Sequence, residues 1–367
     1  MQWFKTVDVY PKVLWKGRDH QDTYCCIGIG EDSSKTLPTF RVESFDPSQP
    51  QWDGFPGMLR WVPFGVLQFS TTKHSASLHK SRQVETWTAP SGINPEHRST
   101  KPSKETWFDN ILQSKQLFQS NVLDKIVLAK ESYFEFTDPW DRFESLRMAQ
   151  PENYHFLFMP NENTLFLGVS PEKLFGKHHR NLKTEALAGT RETIANSDQN
   201  ARLMQELSHS DKDQKEHDCV VTYLTEQLTT LSIAHRLHPQ EILQLPDVQH
   251  LRTPMTFELK KHVSIEDILH RLHPTPAVCG LPTQQAKDII AEIEPFHRGW
   301  YAGTMGIEHQ DHCDFTVLIR SALWIKDSEG QHGYAWGGAG IVEQSDPESE
   351  WNEVQNKSKQ FLQRKHS

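Results

Sequence analysis

No stretch of this sequence approaches the roughly 20 consecutive apolar residues that a membrane helix needs. Apolar residues make up only 36% of the chain. Basic runs are missing too. Lys and Arg number 39 against 48 Asp and Glu, a formal net charge of −9, so a nucleic-acid partner has no electrostatic support. Cysteine is scarce and odd in number. The five (Cys25, Cys26, Cys219, Cys279 and Cys313) form no C-x-x-C pair, and adjacent cysteines are poorly placed for an ordinary bridge. The opening MQWFKTVDVYPKVLWKGRD has no apolar signal-peptide core. These absences lead to the expectation of a cytoplasmic protein with no membrane partner.

What is present suffices for a substantial core. The 367 residues, with 10% aromatics and eleven Trp, fit one large domain or two medium ones. Residues 1–70 read as short strands, with TYCCIGIG (23–30) and LRWVPFGVLQF (59–69) separated by the Pro-rich loop FDPSQPQWDGFPG. The polar stretch 71–105 reads as a surface segment and the best boundary, dividing 1–104 from 105–367. After it come a helix at 105–121, an alternating strand KIVLAKESYFEF and a hairpin turning at NEN. A long amphipathic helix is expected over 196–231 and another over 287–296. FTVLIRSALWI and HGYAWGGAGIV read as strands, and DPESEWNEVQNKSKQFLQRK as a closing helix. Runs of strands without regular βαβ alternation indicate α+β with antiparallel sheets.

Four groups of residues could carry chemistry. Asp213 and Glu216 share one helix face, as do Glu350, Glu353 and Lys357. Carboxylates on two helices suit a hard cation such as Mg2+, although each helix alone is as well explained by solvated ion pairs. His217 raises zinc, but no H-E-x-x-H spacing or Cys pair accompanies it. Lys125 opens KIVL, where apolar neighbours would lessen its preference for the charged form and let it act as a base; the plainer reading is an edge-strand lysine. Glu172 in GVSPEKLF could be an acid if burial raises its pKa, or an ordinary turn glutamate. Ser170 lacks a G-x-S-x-G elbow and has no case as a nucleophile. Finally, TEALAGTRET and WGGAGIV place small residues where N–H groups could meet an anion. Neither is a P-loop, so nucleotide binding is not supported. Arg320 could pair with a carboxylate or make a structural ion pair.

The order and wording of these segments resemble the chorismate-utilising enzymes, the anthranilate, aminodeoxychorismate, salicylate and isochorismate synthases. The matching stretches are KIVLAK, FLGVSPEKLF, TEALAGTRET, SHSDKDQKEHDCVV, HLRT, LHPTPAVCGLP, IEPFHRGWYAGTMG, FTVLIRSALW, GGAGIV and SEWNEVQNK. The N-terminal third matches more loosely, and TFRVESFDP stands where many relatives carry a Gly-Gly pair. The resemblance implies one large α+β domain, similar to anthranilate synthase component I, with two antiparallel sheets flanked by helices. Chorismate is the implied substrate and Mg2+ the implied cofactor.

The resemblance also assigns roles. Ammonia-using members carry Gln where this chain has Lys125, so Lys125 implies water as nucleophile and no obligatory glutaminase subunit. Glu172 matches the acid that protonates the departing C4 hydroxyl. Glu216 and Glu353 match the principal Mg2+ carboxylates, with Asp213 and Glu350 in support. Gly189, Thr190, Arg320, Gly338 and Lys357 match positions contacting the substrate carboxylates, which would supply local attraction for a dianion on an acidic protein. Ala277 stands where salicylate-forming relatives carry a hydroxylated residue, and Tyr301 where an aromatic is expected in both groups. The implied reaction is the isochorismate synthase one, feeding menaquinone or a catechol siderophore. Salicylate synthase and a non-catalytic chorismate-binding protein are the alternatives.

Overall fold

In the computed structural model the described residues are 2–18, 22–31, 37–70, 75–80, 82–85, 87–92, 98–135, 138–244 and 248–362. Two large sheets dominate, and every pairing between their strands is antiparallel. The first sheet has ten strands. Its order is Gly280–Leu281, Lys125–Glu135, Gly330–Ile341, Ser321–Asp327, Thr164–Ser170, Tyr154–Asn161, Lys12–Lys16, Asp22–Ile27, Gly65–Ser70 and Ser75–Lys80. The second runs Ser232–Leu237, Val248–Leu259, Asn181–Glu192, Lys173–His178, His312–Val317, Thr304–His309, Thr39–Glu43 and Met58–Trp61. Glu241–Gln244 adds to it beside Val248–Leu259.

Side-chain alternation sorts the core. On the hairpin Tyr154–Asn161/Thr164–Ser170, Phe156, Phe158 and Phe166 enter the main apolar cluster with residues of the second sheet such as Phe175 and Phe315. Leu157, Leu165 and Leu167 point the other way, into a smaller cluster with Phe4, Phe143 and Leu146. The expected hairpin is therefore present, and both its faces are covered. Among the described residues no helix is long and apolar enough to cross a membrane.

Two expectations fail and one is refined. The stretch 71–105 has an exposed strand, Ser75–Lys80, that extends the first sheet, and Arg82–Glu85 pairs with Ile29–Glu31, while 71–74, 81, 86 and 93–97 lie outside the described residues. The 196–231 helix is two helices, Ser197–His209 and Asp211–Thr229. They break at Ser210, whose extended backbone lets its hydroxyl cap the Asp213 N–H. FTVLIRSALWI is not one strand either. His312–Val317 belongs to the second sheet and Ser321–Asp327 to the first. The chain crosses between sheets at Leu318–Arg320, with Arg320 at φ +50°.

Candidate active site

Lys125 begins a strand whose first eight side chains are all buried. The expected one-faced alternation is absent, because the strand is paired on both edges, to Gly280–Leu281 and to Gly330–Ile341, and covered on both faces. An edge-strand role for Lys125 is thereby excluded. Its side chain is fully buried, and Nζ lies 3.0 Å from Glu216 Oε1. The approach is an ion pair without hydrogen-bond alignment, so the Nζ protons lack an acceptor.

Glu172 follows the Thr164–Ser170 strand, where the chain leaves the first sheet for the second. Its backbone is pinned on both sides. The Glu172 N–H donates to Ser170 Oγ at 3.2 Å, and its carbonyl accepts from Thr316 Oγ1 at 2.6 Å and from the Val317 N–H at 3.1 Å. Ser170 spends its own hydroxyl on the Val317 carbonyl. Burial pushes the Glu172 carboxyl up to about 7, against the pull of Lys125 and with the help of the Glu185 charge. A carboxyl placed so is a proton donor near neutrality.

The four acidic residues on the two helices are each paired with a cation. Glu216 faces Lys125. Glu353 accepts from Lys357 Nζ at 2.7 Å, and Asp213 from Arg191 Nη2 at 2.8 Å. Glu350, 1% exposed, lies 2.5 Å from Lys212 Nζ. Burial and the neighbouring Glu353 charge push Glu350 up to about 7. Among the described residues no three acidic, histidine or cysteine side chains stand together closely enough to hold a metal ion as they are. The donor set nevertheless fits a hard divalent cation. It is all carboxylate oxygen, drawn from two helices, and the Lys212 ammonium of one helix already pairs with Glu350 of the other. His217 does not join it: its Nε2 meets Thr253 Oγ1 at 2.8 Å, and burial pushes its pKa down to about 4.

The glycines of WGGAGIV have a packing reason beside the one expected. The Pro347–Leu362 helix packs directly on Gly330–Ile341. A Cβ on Gly337 would strike the Val354 carbonyl, and one on Gly340 would strike the Glu216 carboxylate. Glycine thus lets the Pro347–Leu362 helix and the Glu216 carboxylate close onto the strand. Pairing to Ser321–Asp327 ends at Ala335, whereas pairing to Lys125–Glu135 continues to Ile341, so Trp336–Ile341 has one open edge. Lys357 Nζ donates to the Gly338 carbonyl there at 2.7 Å. In an antiparallel strand the N–H of the same residue points to the same edge, so Gly338 also offers its N–H to the cleft.

That cleft measures about 80 Å³ and is lined by Glu172, Gly189, Thr190, Glu216, Ala277, Tyr301, Arg320, Gly338, Glu353 and Lys357. Lys125 sits just outside the lining, behind Glu216 and Gly340. Asp213 lies beneath Gly189, which adopts φ +71° at a bulge of the Asn181–Glu192 strand. Glu350 lies outside the lining with Lys212. A wider cavity of about 440 Å³, bordered by Trp52, Glu131 and Arg298, holds none of the expected groups. Trp336 stacks with both Trp52 and Tyr301 between the two cavities. The wider cavity has a shifted carboxyl of its own, Glu131, pushed up to about 8 by burial; what distinguishes the narrow cleft is that the residues expected from the sequence line it together.

Three residues escaped the sequence reading. His250, in the noted HLRT stretch, is buried, and its Nδ1 lies 3.1 Å from both Thr190 Oγ1 and the Gly189 carbonyl. Burial pushes its pKa down to about 3, so it is a neutral ring orienting Thr190. Arg191 and Lys212 stand inside quoted motifs, yet their partners are visible only in three dimensions.

The family described as chorismate binding enzyme matches residues 66–364. The isochorismate synthase MenF of Haemophilus influenzae is 36% identical, over 98% of this chain and 87% of that protein. The structure of MenF, the menaquinone-specific isochorismate synthase from Escherichia coli, superposes with a TM-score of 0.83 at 28% identity, covering 98% of this chain and 90% of that one. Anthranilate synthase component I from Streptococcus pneumoniae, at 18% identity and a TM-score of 0.72 over 96% of this chain and 90% of that one, shares the fold. This chain belongs to the chorismate-binding enzyme family and has the anthranilate synthase component I fold, with isochorismate synthases among its relatives.

Proposed function

We propose that the protein is a Mg2+-dependent isochorismate synthase, an isomerase that converts chorismate reversibly to isochorismate. The observation that carries the reading is the pairing of a fully buried lysine, Lys125, with a buried carboxyl, Glu172, raised to about 7 and close enough to feel the Lys125 charge. Lys125 acts as the base that takes a proton from water as the water oxygen bonds to C2. The ring double bond shifts, the C4–O bond breaks, and Glu172 gives its proton to the departing hydroxyl, which leaves as water. One water enters and one leaves, so no redox cofactor is needed. Arg320, Lys357 and the N–H groups at Gly189, Thr190 and Gly338 hold the substrate carboxylates. Glu216 and Glu353, with Asp213 and Glu350 in support, would hold the divalent cation, whose chemistry is to neutralise and orient the ring carboxylate of chorismate.

Residues 105–367 carry all of these groups, and 1–104 complete the sheets behind them. Five free cysteines agree with a cytoplasmic setting. Likeness to a menaquinone-specific synthase favours menaquinone over a catechol siderophore as the destination of the product. The test is chromatographic identification of the product from chorismate with and without Mg2+. Isochorismate, formed only with the metal, is expected. Salicylate with pyruvate would overturn the reading in favour of the salicylate synthase alternative, an ammonia-dependent product would favour a glutaminase-coupled one, and no consumption of chorismate would favour a binding protein.

A further inference from the structure

The reaction above gives no task to Lys212, yet Lys212 sits beside the cleft in an ion pair that joins its two acidic helices. It lies in the first turn of the Asp211–Thr229 helix, between Ser210, which caps that helix, and Asp213. Its Nζ reaches across to the Pro347–Leu362 helix and lies 2.5 Å from Glu350 Oε1. Glu353 and Glu216 act on the same ammonium through space. At contact range Lys212, like Lys125 and Lys357, answers one carboxylate, but that contact spans the two helices and the charges of Glu353 and Glu216 act on it as well. Without it, Glu350 and Glu353, one turn apart, would face Glu216 with their repulsion less well screened.

The two ends of the contact differ in exposure. The Glu350 side chain is 1% exposed and has no route to water, while that of Lys212 is 28% exposed. If a second cation takes the carboxylates, the lysine can turn out to solvent and the glutamate cannot. A hard divalent cation and an ammonium cannot both fill the small space between these oxygens, because the cation needs several of them and repels the ammonium.

We propose that Lys212 is a tethered counter-cation. It holds the Glu216, Glu350 and Glu353 group together in the metal-free protein, and it leaves Glu350 when the divalent cation binds. Lys212 thereby sets metal affinity by competition. The proposal rests on the reading of these carboxylates as the Mg2+ site. A lysine that merely straps the two helices together would have the opposite effect, since its loss would loosen the site and weaken the metal.

The experiment is calorimetric titration of the full chain with MgCl2, without chorismate, together with thermal melts in chelator and in Mg2+. Wild type is compared with Lys212→Met, Lys212→Gln and Lys212→Arg. Apparent affinity is reduced by the fraction of molecules in which the lysine occupies the site, so Lys212→Met should bind Mg2+ roughly tenfold more tightly if that fraction is about nine-tenths. Its Tm should fall in chelator and rise further on adding Mg2+ than that of wild type. Lys212→Arg keeps the charge and should bind no more tightly than wild type. If Lys212→Met does not fold without metal, Lys212→Gln retains a donor for Glu350 without the charge and should tighten binding in the same direction. Unchanged or weaker binding by the neutral variants, with wild type binding Mg2+, would overturn the Lys212 proposal alone. No Mg2+ binding by wild type or any variant would overturn the metal assignment itself, and this proposal with it.

Discussion

Lys125 and Glu172, the proposed base and acid, differ in what surrounds them. The lysine is fully buried at the start of a strand, with its Nζ 3.0 Å from the Glu216 carboxylate. The carboxyl is lifted by burial and by Glu185, which is itself held between Arg18 and Arg252. Lys125→Ala should lower kcat for isochorismate formation by about 10²–10⁴, the usual worth of a positioned base. Turnover close to wild type would show that Lys125 is not the base. Glu172→Gln should cost a similar factor. The pH dependence follows from the sign of the shift. Glu172 must be protonated to act, and a carboxyl raised to about 7 loses its proton as pH climbs through that value. In wild type kcat/KM should therefore fall on the alkaline side of about 7, approaching tenfold per pH unit. The residual activity of Glu172→Gln should lack that limb; if the variant keeps the same limb, another group is the acid.

Among the elements, those legible in the sequence had local causes. The Pro347–Leu362 helix and the hairpin at NEN follow from spacing and turn residues; the Lys125–Glu135 strand is present, but buried throughout its first eight residues rather than on one face. The elements misread had distant causes. Ser210 breaks a helical pattern because its cap serves the start of the next helix. The FTVLIRSALWI run divides at Arg320 because its halves pair in different sheets, which no local pattern records. The same division explains the site. Glu172 and Lys125 were legible through resemblance, whereas the partners of Lys212 and His250 lie far along the chain. Their pairing is a property of the fold. The glycine strand is the element on which the site closes, and Gly340→Ala tests it. Its Cβ would collide with Glu216 and come 3.1 Å from Lys125 Cε. Overpacking of this kind costs typically about 1–3 kcal/mol, so Tm should drop and turnover should fall with it. A variant of wild-type stability and activity would mean that the Glu216 carboxylate is free to move aside.

At the scale of the molecule, the N-terminal third helps to hold the segment that carries Glu172, the proposed acid. Strands from before residue 104 stand in both large sheets: Lys12–Lys16 pairs with Tyr154–Asn161, and Thr39–Glu43 with Thr304–His309. Val13, Leu14, Phe40 and Val42 are wholly buried against later strands. Arg18 donates to the Pro171 carbonyl at 2.7 Å and binds Glu185, reaching the residue next to Glu172 from far away in sequence. Removal of residues 1–104 would leave two strand edges unpaired and apolar faces bare, a state prone to association. The fragment 105–367 should therefore fail to give the near-ultraviolet dichroism of a packed aromatic core, although it holds every reacting group. The full chain should unfold in a single cooperative transition seen alike by far- and near-ultraviolet dichroism. A folded fragment that still binds chorismate would show that the boundary near 104 separates two independent units, and the acid would then owe its position to the later residues alone.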